Sequence, residues 1–177
     1  MKKLKLLLAM ALMVVTGTTT LRAQIITKDQ LIAEWQRAKT YTKSYLDAMP
    51  EDGYSFKPTP EMRTFAAQML HLADGNYFFA SSASGKPSTF GQKSVEKTVS
   101  PTKAATTQAV VDSYDFVISC IQGMTDAQFA QMGESEGHKV TKGIILLKAF
   151  EHQTHHRGQV VAYLRLKGVT PPPEALF

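Results

Sequence analysis

Cysteine is nearly absent from this chain of 177 residues, because Cys120 is its single thiol. An intramolecular disulfide is therefore excluded. Cys120 falls on the apolar side of a predicted helix, where we expect a buried and inert thiol rather than a nucleophile. Internal repeats and low-complexity segments are also absent. We therefore expect one domain with a single hydrophobic core.

A hydrophobic run long enough to span a bilayer is missing as well. The apolar stretch at residues 6–15 is too short and follows three lysines, a pattern typical of export signals. Ala23 offers a small residue for cleavage before Gln24, although Leu21 is a poor residue two positions earlier. We predict that residues 1–23 are a signal peptide. The mature chain, residues 24–177, would then be periplasmic or secreted, without stable membrane insertion.

The mature chain lacks an excess of charge of either sign. Four of the 20 basic residues lie in the predicted signal, which contains no acid, so 16 basic and 15 acidic residues remain. The basic character of the whole sequence is thus mostly a property of the signal. No basic surface for nucleic acid is expected.

Strand-like alternation with hairpin turns is not evident, whereas helical spacing of apolar residues recurs. Four helices are predicted, at about residues 28–48, 64–81, 101–122 and 141–167. Thr27 and Gln30 stand in capping-box relation, and Thr64 is placed to cap the second helix. The fold predicted from this pattern is all-α, an antiparallel four-helix bundle.

Two connections between the predicted helices stand out. Residues 82–100 are rich in Ser, Gly, Lys and Thr and are long for a structureless connection, which indicates a mobile or functional loop. Residues 125–139 form the second variable stretch, with one short turn expected near its start. His138 lies in that stretch and is expected on the surface. Both loops are expected to shape the mouth of a pocket.

Histidines are concentrated in the fourth predicted helix, where His152, His155 and His156 fall within five residues. His152 and His156 lie one turn apart, so both imidazoles can reach one cation. His155 competes for a ligand role because it lies three residues from His152. One helix cannot close a metal site, so a third ligand must come from another segment. His71, near the middle of the second predicted helix, is a candidate that the bundle can bring beside the fourth.

Polar neighbours of these histidines differ in their angle around the helix, which predicts different roles for them. Gln159 shares the face of His152 and is predicted either to orient a ligand or to bond another helix. Arg157 points away and is expected to anchor one helix to another. A close helix contact would explain Gly158. Glu151 lies about 100° off the ligand face, a weak position for a general base.

A set of motifs across the predicted mature chain resembles one known family. Thr64-Phe65-Ala66 and His71-Leu72-Ala73-Asp74 are followed by His152-x-x-x-His156-Arg157-Gly158-Gln159, as in the DinB/YfiT-like metalloprotein superfamily. The resemblance includes Lys57-Pro58-Thr59-Pro60 before the second helix and the final Gly168 with its prolines. It implies a DinB-like four-helix bundle.

The resemblance also implies a three-histidine metal site at the matching positions His71, His152 and His156. Because the family pattern places the ligand immediately before Arg-Gly-Gln, it favours His156 over His155. His155, Gln159 and Asp74 then become candidates for contacting the ligands instead of the metal. Zinc and nickel suit such imidazoles best, and iron or manganese would also fit.

The function implied by the resemblance is a metal-dependent hydrolase or a thiol S-transferase acting on a small molecule. Export disfavours a cytosolic thiol as cosubstrate and so favours hydrolysis. The alternative is a non-catalytic protein of the cell envelope that binds metal or a small ligand. Bundles of this family often pair, so a homodimer is expected.

Overall fold

The structure, a computed structural model, describes residues 26–177. The predicted signal peptide therefore lies outside the described residues. Four long helices make up most of this part of the chain: α1 (Lys28–Ala48), α2 (Phe65–Ser84), α4 (Lys103–Gly123) and α6 (Lys142–Leu166). The predicted four-helix bundle is confirmed. No helix in residues 26–177 is long and apolar enough to cross a membrane.

The helix starts follow the capping signals in the sequence. Thr27 and Gln30 form the predicted capping box at the start of α1. Thr64 caps α2 and Thr141 caps α6, each through its hydroxyl oxygen, which accepts a hydrogen bond from a backbone N–H in the first turn. These threonines satisfy amide groups that the helices themselves leave without a partner.

Shorter elements occupy the connections. A 3-10 turn covers Glu51–Gly53, and α3 (Val95–Thr98) lies within the connection after α2. The prediction of an irregular loop over residues 82–100 was therefore wrong at two places, because residues 82–84 belong to α2 and residues 95–98 form α3. Asp74 accounts for the presence of α3, because its carboxylate accepts hydrogen bonds from the backbone N–H groups of Val95 and Glu96.

A β-hairpin follows the short helix α5 (Asp126–Ala130), although the sequence predicted no strands. It pairs β1 (Met132–Ser135) with β2 (His138–Thr141) in antiparallel register, with Ser135 opposite His138. Glu136 and Gly137 form the turn with φ of 52° and 78°, the left-handed pair that suits a two-residue hairpin. Each strand has only four residues, most of which are polar, so the sequence shows no clear alternation of apolar positions.

The chain directions of the bundle depend on the long connection after α2. Hydrogen bonds pair Asn76 with Ser113 and Lys86 with Ser119, so α2 and α4 run parallel, and the predicted antiparallel arrangement is wrong for these two helices. By contrast α6 runs antiparallel to α2, since Gln68 contacts His156 while Tyr163 donates to the carbonyl oxygen of Arg63. The connection 85–102 therefore returns along the length of the bundle. On its way it passes the middle of α2.

The core lies between the four helices and is rich in aromatic side chains. Trp35 is fully buried and makes edge-to-face contacts with Tyr114 and Phe150, at ring-centroid distances of 5.5 and 5.4 Å. Cys120 is buried as predicted, and burial raises the pKa of its thiol. A thiol in that state is a poor nucleophile near neutral pH.

Candidate metal centre

Three histidines meet between α2 and α6. The imidazole centroid of His71 lies 5.4 Å from that of His152 and 4.7 Å from that of His156, and the two rings of α6 are 4.3 Å apart. One nitrogen from each ring lies within 4.8 Å of the others. His156 is buried and the other two are partly buried. The three predicted ligands are thus brought together.

A glycine allows α2 and α6 to approach each other closely. Gly75, one turn after His71 on α2, faces the ring of His152, and a Cβ at position 75 would overlap that ring. A close helix contact was predicted at Gly158 instead, and this was wrong, because a Cβ there would have no heavy atom within 4 Å. The spacing of four residues between His71 and Gly75 was the available signal.

His156 is oriented by two glutamines. Gln159, predicted either to orient a ligand or to bond another helix, places its Oε1 3.0 Å from Nδ1 of His156. Gln68 of α2 donates to the same Oε1 and has its amide nitrogen 2.7 Å from that Nδ1. Gln159 Oε1 can only accept, so it favours a proton on Nδ1 of His156 and a free lone pair on Nε2, whereas the amide nitrogen of Gln68 can only donate and favours the opposite tautomer. Gln68 was missed by the sequence reasoning, although it stands three residues before His71.

The environment of His71 contains charged residues from two other segments. A carboxylate oxygen of Glu96, on α3, lies 3.6 Å from Nδ1 of His71, and a guanidinium nitrogen of Arg63 lies 3.5 Å from it. Arg63 and Glu96 also contact each other, at 3.3 Å. Neither residue was predicted from the sequence. Arg63 directly precedes the N-cap of α2, whereas Glu96 comes beside His71 only when α3 packs against α2.

Asp74 was predicted to contact a ligand, but the structure gives it a different set of partners. Its carboxylate accepts hydrogen bonds from Ser94 Oγ at 2.7 Å and from the backbone N–H groups of Val95 and Glu96 at 2.5 and 3.2 Å. Asp74 thereby caps α3 and fixes the connection against α2. Its carboxylate also lies within 4.8 Å of His71 and Glu96.

Burial lowers the pKa of all three imidazoles and so favours their neutral forms. Burial, followed by the charges of neighbouring histidines, lowers the pKa of His152 to about 4 and that of His156 to about 3. Burial also lowers the pKa of His71, with Arg63 adding to the effect. Neutral imidazoles retain the lone pair that a metal requires.

The donor set fits a divalent transition metal. Nδ1 of His152 is buried and has no hydrogen-bond partner within the described part of the chain. An unpaired buried polar atom is costly, whereas three converging neutral imidazoles form a recognised set of metal ligands. Such a set favours metals that accept nitrogen ligands, among which zinc, nickel, iron and manganese belong.

The remaining candidates lie outside this cluster. His155 is exposed, with its ring centroid 5.0 Å from that of His156, and it takes no place among the converging nitrogens. His138 is exposed, as predicted, but on β2 rather than in a loop. Glu151 is exposed and pairs with Lys148 at 2.7 Å. That orientation removes Glu151 from any role at the metal centre.

Arg157 anchors α6 to the rest of the bundle, in agreement with the sequence. It is buried, donates to Gln153 Oε1 at 3.0 Å and lies 4.5 Å from the ring centroid of Tyr41 on α1. Gln153 also accepts from the hydroxyl of Tyr114, which contacts Thr42 at 2.7 Å. This buried network fixes the face that α6 turns towards α2, because Gln153 and Arg157 lie about 100° around the helix from the histidines and contact α1 and α4 instead.

A cavity of about 970 Å³ opens beside His71 and His152. Its walls are α2, residues 87–97 of the connection and Glu136 in the hairpin turn. Both variable stretches of the sequence therefore contribute to its mouth, as predicted. A small molecule in this cavity could reach two of the three histidines.

Comparisons with known proteins agree with this architecture. The uncharacterised protein YjoA of Bacillus subtilis is 24% identical over 149 residues, which cover 82% of this chain and 94% of YjoA. A crystal structure of a DinB-like protein from Bacillus cereus is similar, with a TM-score of 0.73 and 19% identity over 82% of this chain and 96% of that one.

YfiT from Bacillus subtilis, described as a probable metal-dependent hydrolase with an unusual four-helix bundle topology, is also similar. The TM-score is 0.59 at 18% identity, and the match covers 86% of this chain and 95% of YfiT. The sequence model of the DinB family matches residues 16–175, nearly the whole chain. This protein therefore belongs to the DinB family.

Proposed function

We propose that this protein is a metal-dependent hydrolase of small molecules in which His71, His152 and His156 hold one divalent metal. The observation that carries the proposal is the convergence of three imidazole nitrogens within 4.8 Å beside a large cavity. A closed structural site would have four protein ligands, whereas three leave room for water or substrate.

Some residues of the site would hold the metal, and others orient the residues that hold it. The three histidines are the ligands, and zinc or nickel suits them best. Gln159 and Gln68 orient His156, and Gly75 leaves space for His152. A metal at such a site supplies Lewis acidity and lowers the pKa of water, which is the chemistry that hydrolysis requires.

Export supports hydrolysis over thiol transfer. If residues 1–23 are a signal peptide, the mature protein leaves the compartment in which low-molecular-weight thiols are abundant. Mass spectrometry of protein recovered from the producing cell's envelope or medium would test this. A mature N-terminus at Gln24 is expected, and a cytosolic protein that retains residue 1 would contradict export.

Hydrolysis can be tested with protein purified without a polyhistidine tag. The metal-loaded protein is assayed on aryl esters, aryl phosphates and anilides, with His156→Ala and the matched His155→Ala variant beside it. We expect turnover of at least one class by the wild type and by His155→Ala, reduced at least about 100-fold in His156→Ala. Turnover retained in His156→Ala would refute the metal mechanism.

Two other results would each replace the proposal by a different one. Stoichiometric metal without turnover of any class would favour a metal- or ligand-binding protein of the envelope. Less than about a tenth of an equivalent of any transition metal after reconstitution would contradict the metal site, because three neutral imidazoles bind such ions readily at neutral pH.

A further inference from the structure

We infer that Glu96 is a positioning residue for His71: its carboxylate holds the imidazole proton on Nδ1 and so keeps Nε2 free for the metal. The inference rests on the proposed metal site. It begins with the two groups beside Nδ1 of His71, the carboxylate of Glu96 at 3.6 Å and the guanidinium of Arg63 at 3.5 Å. Since both cover Nδ1, Nε2 is the nitrogen left for a metal.

These two groups favour opposite tautomers of the neutral imidazole. A guanidinium can only donate, so Arg63 favours a bare Nδ1 with the proton on Nε2. A carboxylate can only accept, so Glu96 favours the proton on Nδ1. A neutral imidazole with its proton on Nε2 has no lone pair there, and the metal would lose one of its three ligands.

Glu96 also engages Arg63 directly. Nε of Arg63 lies 3.3 Å from both carboxylate oxygens of Glu96. This ion pair holds the guanidinium of Arg63 towards Glu96 and so weakens the hydrogen bond that Arg63 can donate to His71. The separation of Glu96 from Nδ1 is slightly longer than a hydrogen bond, and a shift of about 0.5 Å closes it.

The position of Glu96 is fixed by hydrogen bonds from its helix, α3, to Asp74 on α2. Asp74 accepts the backbone N–H of Glu96 at 3.2 Å and that of Val95 at 2.5 Å, so the first turn of α3 is fixed to α2. Asp74 lies three residues after His71 on the same helix. Both the imidazole and the carboxylate therefore take their positions from α2, a rigid support for a pair that must stay aligned.

A carboxylate that orients a ligand differs in effect from one that only pairs with Arg63 on the surface. A simple surface ion pair contributes little, and its loss would leave the imidazole unchanged. A carboxylate that accepts from a metal-binding histidine commonly affects metal affinity about 10–100-fold. The tautomer of His71 and the affinity for metal separate the two roles.

The experiment compares Glu96→Ala, Glu96→Gln and the control Glu136→Gln, which removes another carboxylate from the wall of the same cavity. Two-bond proton–nitrogen correlation spectra of histidine-labelled, metal-free protein report the tautomer. Competition with a chromogenic chelator reports the dissociation constant for Zn²⁺. Circular dichroism at the same pH establishes that each variant is folded.

We expect His71 to carry its proton on Nδ1 in the wild type and in Glu136→Gln, and on Nε2 in Glu96→Ala, where Arg63 is left to donate. Zinc affinity should fall about 10–100-fold in Glu96→Ala and take an intermediate value in Glu96→Gln, whose amide oxygen still accepts. Adding Arg63→Met to Glu96→Ala should restore part of the lost affinity, because the competing donor is gone.

An unchanged His71 tautomer in Glu96→Ala would overturn the inference. If the wild type binds zinc, a loss of zinc affinity in Glu96→Ala no larger than that in Glu136→Gln would overturn it as well. The tautomer is measured without metal or substrate, so failure of the proposed function can be distinguished from failure of this inference. Absence of zinc binding and turnover in the wild type, together with a tautomer change in Glu96→Ala, would refute the metal site and leave the positioning of His71 by Glu96 in force.

Discussion

Gly75 of α2 faces the imidazole of His152 on α6 so closely that a methyl group at position 75 would occupy the space of the ring. This contact lies between the two helices that carry all three histidines. The absence of a side chain at position 75 thus sets how near the imidazoles of α6 can come to His71. It also gives a direct way to disturb the site from a residue that is not itself a ligand.

We predict that Gly75→Ala weakens zinc binding, because the added methyl group displaces the ring of His152. Overpacking at such a contact should also lower the free energy of unfolding by about 1–3 kcal/mol. Gly158→Ala is the matched control, a second glycine-to-alanine change inside a long helix, where the new Cβ meets no heavy atom within 4 Å. It should be stabilising by up to about 1 kcal/mol.

Zinc competition and urea unfolding of both glycine variants provide the measurements. If Gly75→Ala bound zinc as tightly as Gly158→Ala, the ring of His152 would not need the space that the glycine leaves. The proposed ligand geometry would then have to be revised.

Metal should stabilise the folded protein through His71. A ligand present at about 100 times its dissociation constant adds about 2.7 kcal/mol to the free energy of unfolding. Zinc should therefore raise the melting temperature of the wild type, and EDTA should reverse the rise. His71→Ala should show a much smaller rise, whereas His155→Ala should respond like the wild type. Equal responses of the two variants in differential scanning calorimetry would exclude His71 as a ligand.

Acid should destabilise the metal-free protein through the α6 histidines. Burial and neighbouring histidines lower the pKa of His152 from 6.5 to about 4 and that of His156 from 6.5 to about 3. Between about pH 6.5 and these values the unfolded chain binds more protons than the folded one, so stability falls as the pH falls. Above pH 6.5 the contribution is complete and should not change further.

Urea unfolding of the metal-free protein from pH 7.5 to pH 4 measures this dependence. The double variant His152→Gln/His156→Gln should lose stability less steeply over the same range. Parallel curves for the variant and the wild type would show that other groups cause the acid sensitivity.

Arg157 should matter for stability more than for metal binding. It is buried, donates to Gln153 and packs over Tyr41, so truncation removes one of the two donors to Gln153 Oε1 together with a buried cation–ring contact. We expect Arg157→Ala to lower the free energy of unfolding by about 2–3 kcal/mol. Zinc affinity of the remaining folded protein should change less than in Gly75→Ala. An intact unfolding free energy would contradict the anchoring role.

The sequence by itself determined the local features of this protein. Helix periodicity and capping located the four long helices to within a few residues, because both are set by side chains close together in the chain. The one-turn spacing of His152 and His156 was equally local. The family resemblance then supplied His71, a residue that spacing alone left as one candidate for the third position.

Only the tertiary structure decided which residues surround those histidines. Gly75, Gln68 and Glu96 act across helices or across a connection, and their partners lie 77, 88 and 25 positions away in the sequence. The parallel course of α2 and α4 and the hairpin before α6 likewise depend on long-range packing. Contacts of this kind leave no periodic signal in the chain, so they could be read only once the helices had been placed against one another.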